Sequence, residues 1–257
     1  MAEKKVISVF WTGGWDSTYR IVELSRMEII IHPVYCLDPK RISTSLELKH
    51  MEDILEIIAE KTETKAEFLS IEKIDITTLK PNKEIEKAWK RIVKTIHLGS
   101  QYIWLAKIAK QYPGIELGLE KPNGEFSGAI TAITRLGNLI YKDGVYVCDK
   151  AKSSEDILAI FGNVSLPIAN LTETDMLKNI KQWGYEDIMK KIWFCHTPIS
   201  GNTCGVCRPC QQMMECHMEF LLDKPAQRRY KIFRFISKFI GARITSKTMR
   251  ILLCKEK

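Results

Sequence analysis

Apolar positions along this chain switch between a two-residue and a 3.6-residue period. Residues 6–11 form a short β-prone run that ends in Thr12-Gly13-Gly14, and an amphipathic stretch follows from Ser17 to Arg26. That order predicts strand, tight turn and helix. Residues 29–36 are a second apolar run of strand length. Thr44 and Glu47 read as a capping box opening a helix to about Glu60, with Leu48, Met51, Ile54, Leu55 and Ile58 on one side. The pattern then predicts a strand at 66–71, helices at 83–95 and 100–111, and a strand at 115–119 after Pro113-Gly114. Strands alternating with helices imply an α/β fold on a parallel sheet covered on both faces. Two features depart from the alternation. Lys142-Asp143-Gly144 between short apolar runs predicts a hairpin. Thr172 with Asp175 opens a late helix that Gly184 stops, after which prolines and glycines predict loop from Pro198 to about Gln211.

A last helical pattern, 228–240, sets Ile232, Phe235, Ile236, Phe239 and Ile240 on one side and Lys231, Arg234 and Lys238 on the other. Charge makes this segment distinctive. The formal net charge is +8, yet from Lys224 onward eleven Lys or Arg face the single acid Glu256, leaving the preceding body slightly acidic. A helix of this kind can lie on an anionic membrane, grip RNA through phosphates, or dock its apolar side on the body or a dimer mate. The chain therefore divides into a sheet-bearing part (1–165), a late helix with most of the cysteines (166–223) and a basic helical tail (224–257). Apolar residues at 45% and charged residues at 27% exclude wholesale disorder. No apolar run approaches a membrane span, and 6–11 is too short for a signal-peptide core, so the chain reads as cytoplasmic.

That compartment keeps thiols reduced, so the eight cysteines call for a metal more than for disulfides. Cys195-x8-Cys204-x2-Cys207-x2-Cys210 supplies four thiols, enough for a closed tetrahedral Zn2+ site that folds its loop. An iron–sulfur cluster is the rival, although no Cys-Pro follows three residues after Cys210. His196, Cys216 and His217 adjoin the cluster as alternative ligands.

Thr12-Gly13-Gly14-Trp15-Asp16-Ser17-Thr18 stands between a strand and a helix. Two glycines permit a turn whose backbone N–H groups converge, and the helix adds its free donors and positive dipole end. Such a nest suits pyrophosphate; Asp16 beside it implies a bridging divalent cation or a role in holding the loop. An ordinary turn with an Asp/Ser cap is the plainer alternative. No Gly-Lys-Ser/Thr follows, so this is not a Walker A loop.

The loop does resemble the Ser-Gly-Gly-x-Asp-Ser loop of the N-type ATP pyrophosphatases, with Thr12 in place of the first serine. Together with the four cysteines, Leu166-Pro167-Ile168-Ala169-Asn170-Leu171-Thr172 and Trp193-Phe194-Cys195, it makes the chain similar to the 7-cyano-7-deazaguanine synthase (QueC) family, patchily over residues 5–215. The resemblance implies a Rossmann-like HUP-type domain and a homodimer. It implies ATP cleaved between the α- and β-phosphates with Mg2+, the carboxylate of a 7-deazaguanine adenylated, and ammonia used to make an amide and then a nitrile. Thr12, Gly13, Gly14, Asp16, Ser17 and Thr18 would hold the departing pyrophosphate, with Asp16 and Ser17 closest to the chemistry, and Cys195, Cys204, Cys207 and Cys210 would bind zinc. Three places depart from the family: Gly99-Ser100-Gln101 stands for Arg-Asn, Glu120-Lys121-Pro122-Asn123-Gly124 for Tyr-Pro-Asp-Cys, and Thr172-Glu173 for Thr-Lys. Asp38, after the second strand, is a candidate to face the nucleotide or a solvated loop acid. The rivals are a tRNA-modifying enzyme that adenylates a base for thiolation and a catalytically silent nucleotide-binding scaffold.

Overall fold

The computed structural model describes residues 4–121, 128–241, 245, 248 and 249. Its centre is a six-stranded sheet in which every pairing is parallel. The chain enters through β1 (Val6–Phe10), turns into α1 (Trp15–Ser25) and returns as β2 (Ile30–Leu37). Helix α2 (Thr44–Glu60) leads to β3 (Glu67–Phe68) and β4 (Glu72–Asp75), both paired with β2. Helices α3 (Lys83–Ile92) and α4 (Gln101–Ala109) then carry the chain across to β5 (Ile115–Glu116), on the other side of β1. After α5 (Ala129–Leu136), the antiparallel hairpin β6 (Leu139–Lys142) and β7 (Val145–Cys148), and α6 (Glu155–Phe161), the sheet ends with β8 (Val164–Ser165) beside β5. The order β3-β2-β1-β5-β8 reverses at β1, and in such sheets ligands bind at the carboxyl edge of that switch.

Two apolar cores cover the sheet. One gathers Phe10, Val34, Leu105, Ile133 and Ile160 beneath α3 to α6. The other packs α1 and α2 against α7 (Glu173–Trp183), α8 (Glu186–Met189) and α9 (Arg208–Glu215), with the buried cysteines and Phe233 of α10 (Lys224–Ile240) in the same cluster. The cysteine segment thus shares its core with the helix that follows the glycine loop.

Several local expectations change. Helix α2 begins where the pattern placed it, but Thr44 and Glu47 form no capping box. Glu47 is buried and accepts from Tyr35 Oη (2.8 Å), Ser43 Oγ (2.6 Å) and Arg41 Nε (2.6 Å), while Thr44 Oγ1 donates to the Arg41 carbonyl. Three inward donors outcompete a cap on a solvated helix end. The capping box expected at Thr172 and Asp175 is present, and Gly184 ends α7 in the left-handed region. Loop was expected to about Gln211, yet α9 starts at Arg208, because Pro209 falls in the first turn where its missing N–H costs nothing. The tail is helical over Lys224–Ile240, but among the described residues its apolar stripe does not dock on the body. Ala226, Tyr230 and Phe233 are buried instead, while Ile232, Phe235, Phe239 and Ile240 are 54, 64, 74 and 49% exposed. Anchors at the helix start set this rotation. Asp223 caps α10, Arg229 donates to the carbonyls of Thr203 and Cys204 (2.8 Å each), and Gly205 lies against the helix. A Cβ on Gly205 would fall 2.1 Å from the Ala226 oxygen, so only glycine permits the approach.

Candidate functional site

The first cavity, about 430 Å³, opens at the carboxyl ends of β1 and β2 and is floored by the glycine loop. Thr12, Gly14, Asp16 and Ser17 line it, with Asp38, Arg41 and Glu47 on the β2 side and His196 from the cysteine segment. Gly13 turns the chain at φ +70°, and its carbonyl accepts from the Trp193 backbone (2.8 Å), tying loop to cysteine segment. Thr18 departs from expectation. Its hydroxyl is fully buried and accepts from Trp11 Nε1 (2.9 Å), so it braces the loop from behind rather than facing the cavity. Asp38 does line the cavity while also accepting from the Lys40 backbone (2.9 Å). Cys36 lines it too, but burial pushes that thiol up to about 12, which leaves it a poor nucleophile.

A second cavity of about 900 Å³ adjoins the first and shares Asp16, Gln101, Tyr102, Gly118 and Leu119 with it. Its other walls include Glu120, Glu173, Gln212 and Arg208. Gln101, Glu120 and Glu173 belong to the three stretches where the chain departs from the QueC pattern. Positions scattered over more than seventy residues therefore meet around one hollow. Gln212 Nε2 donates to both Glu120 Oε1 and Glu173 Oε1 at 2.8 Å, and the Cys216 thiol donates to Glu173 at 3.4 Å. Burial and then the neighbouring carboxylates push Asp16 up to about 7 and Glu120 up to about 10. Against its own burial, the bonds from Gln212 and Glu120 hold Glu173 low. Stacked acids of this kind are relieved by a cation or by a ligand bringing N–H donors. Residues 122–127, which include Pro122, Asn123 and Gly124 of that departure, lie outside the described residues.

Sequence reading missed two supports of the loop. Gly118, just past β5, lets that strand end press on it: a Cβ there would lie 3.2 Å from the Ser17 nitrogen and 3.3 Å from Asp16. A lone glycine at a strand end was the available signal. Arg20 on α1 clamps Glu116 of β5 through two 2.7 Å bonds, from Nε and Nη2, with both side chains nearly buried. Nothing local in the sequence pairs residues 96 positions apart.

The Sγ atoms of Cys195, Cys204, Cys207 and Cys210 all lie within 4.8 Å of one another, and all four residues are buried. Two of the separations are 3.8 Å (Cys204–Cys210) and 3.9 Å (Cys195–Cys207). A tetrahedron with metal–sulfur bonds near 2.3 Å has edges of about 3.8 Å, so the four thiols could hold one metal ion such as zinc. An iron–sulfur cube spreads its thiolates around several metal atoms, which this packing does not suit. Cys204 Sγ accepts from the backbones of Val206 (3.3 Å) and Cys207 (3.2 Å) and from Thr197 Oγ1 (3.3 Å), and Cys195 Sγ from the Cys204 backbone (3.2 Å). Donors aimed at sulfur stabilise thiolates around a metal. His196, Cys216 and His217 stand outside the four-thiol group; His196 lines the first cavity, and Cys216 and His217 the second.

No protein-family model matches the chain, and no curated protein is significantly similar to it.

Proposed function

We propose that this chain is an ATP-dependent carbon–nitrogen ligase of the QueC kind, built on a HUP-type pyrophosphatase domain. It would adenylate a carboxylate, then form an amide or nitrile with ammonia. One observation carries the reading: the loop matching Ser-Gly-Gly-x-Asp-Ser lies at the sheet's switch point and floors a cavity that joins a second. The first cavity would take ATP. Loop N–H groups, Thr12 and Ser17 would meet the β- and γ-phosphates, with the dipole of α1 behind them. Asp16, crowded by Glu173, would hold a Mg2+ ion, whose charge would relieve that crowding and help neutralise the leaving pyrophosphate. The acceptor carboxylate in the second cavity attacks the α-phosphorus and pyrophosphate departs. Ammonia then attacks the acyl carbon, and AMP leaves with the oxygen. The chain's own task is to align these groups and shield them from water.

Glu120, Glu173 and Gln212 favour an acceptor that offers N–H donors away from its carboxylate, as the amidine edge of a 7-deazaguanine does. Zinc in the four thiols would leave no open coordination position, so its part is to fold the segment that Trp193 ties to the loop.

The test is ATP–pyrophosphate exchange over a panel of carboxylates that includes 7-carboxy-7-deazaguanine. Exchange stimulated by one of them is expected. ATP binding without exchange for any carboxylate would overturn the proposal in favour of a silent scaffold. Adenylation that requires tRNA would overturn it in favour of thiolation.

A further inference from the structure

Helix α10 has three faces at about 100° per residue, where a docked amphipathic helix has two. Ala226, Tyr230 and Phe233 enter the core. Lys224, Arg228, Lys231, Arg234 and Lys238 are all exposed along another side. Between these faces runs an apolar stripe that nothing in the described structure covers: Ile232, Phe235, Phe239 and Ile240 are about half to three-quarters exposed, and Ile236 is part-buried. Phe235 and Phe239 meet edge to face with centroids 5.3 Å apart, so the stripe is continuous from one turn to the next.

We propose that α10 is a membrane-surface helix, its isoleucines and phenylalanines entering the interface of an anionic bilayer while its basic row meets the lipid headgroups. A large apolar moment beside a Lys/Arg-rich side is the chemistry of helices that lie in the interface plane. Among the described residues no helix is long and apolar enough to cross a membrane, and the contact proposed is along the side of α10. Two other occupants fit less well. A second copy paired through this stripe about a twofold axis would bring the basic rows of both helices together. A nucleic acid would use the basic row but leave exposed Ile232 and Ile240 with no partner, since bases stack on aromatic rings and phosphates want donors. The slightly acidic body would itself be repelled from an anionic surface, which orients the tail towards it.

The experiment is co-sedimentation of the whole 257-residue chain, metal-replete, with vesicles of phosphatidylcholine alone and with about a third phosphatidylserine. Binding to the anionic vesicles only is expected. The Phe235→Ser/Phe239→Ser double variant should bind them at least about tenfold more weakly, since two interfacial rings are lost. The Lys231→Gln/Arg234→Gln/Lys238→Gln variant should bind about a hundredfold more weakly, at about fivefold per charge. All five positions are exposed, and unchanged metal content and near-ultraviolet circular dichroism check that each variant is folded. The proposal is overturned if the wild type ignores anionic vesicles, or if the phenylalanine variant binds them as the wild type does. A concentration-dependent dimer abolished by the phenylalanine change would assign the stripe to a second copy instead. Tight RNA binding indifferent to that change, with no vesicle binding, would assign the helix to nucleic acid.

Discussion

Replacing Glu116 with Gln tests what holds the loop in place. Glu116 and Arg20 have side chains only 5 and 11% exposed, and the carboxylate accepts two 2.7 Å bonds from one guanidinium. The change keeps the shape but removes the charge, leaving a buried cation short of its bidentate partner. Breaking such a pair costs about 3–5 kcal/mol. Glu23 still accepts from Arg20 Nη1 at 2.5 Å and is a third exposed, so the lower end, about 3 kcal/mol, is expected. For a chain of this size that is a fall of about 6–12 °C in Tm. Urea and thermal unfolding followed by circular dichroism measure it. Removing both partners together, Arg20→Met with Glu116→Leu, should recover most of the loss, since apolar groups of similar volume replace a buried pair at little cost. Because Arg20 stands one turn beyond Ser17 in α1, Glu116→Gln should also raise the KM for ATP of the proposed ligase reaction while leaving metal content unchanged. A single variant within about 0.5 kcal/mol of wild type, or a double variant less stable than the single, would refute the clamp.

Three further outcomes are expected. Cys207→Ser should lose the metal, about one zinc per chain by elemental analysis, and become protease-sensitive, because binding energy at a closed four-thiolate site is folding energy; a variant that keeps full zinc would exclude Cys207 as a ligand. Asp16 titrates near 7 folded against 3.8 in its ordinary setting, so its contribution to stability is present below the lower value and lost as pH rises through about 7. Asp16→Asn should therefore gain stability relative to wild type as pH rises from about 4 to about 7 and hold that gain above it, while Mg2+–nucleotide binding at the proposed site strengthens as Asp16 ionises through about pH 7; parallel urea midpoints for the two proteins from about pH 4 to 7 would show that Asp16 does not titrate there. Gly118→Ala would put a methyl 3.2 Å from the Ser17 nitrogen, so affinity of the proposed nucleotide site by calorimetry should fall about tenfold with about 1–2 kcal/mol of overpacking; unchanged affinity would free the loop from the β5 contact.

What was legible in the sequence was local. The strand–turn–helix around Thr12 to Ser17, the hairpin at Lys142-Asp143-Gly144, the Thr172 cap and the spacing of Cys195, Cys204, Cys207 and Cys210 each rest on a few neighbouring residues. Helices α5 and α6 and strand β8 were not read. They are eight, seven and two residues long, too short for a period to stand out.

The sequence by itself determined the α/β alternation, the glycine turn between the first strand and helix, and a four-thiol cluster, because periodicity, turn chemistry and ligand spacing act over one or two elements. The tertiary structure decided everything that needed residues far apart in the chain to meet. It joined Arg20 to Glu116, pressed Gly118 on the loop, and gathered Gln101, Glu120 and Glu173 around one cavity. It turned Glu47 and Thr18 inward, where Tyr35 and Trp11 supplied better partners than solvent. It also chose which side of the last helix faces the core: an amphipathic pattern marks an apolar stripe but not what covers it, and the contacts of Arg229 and Gly205 rotated that stripe outward.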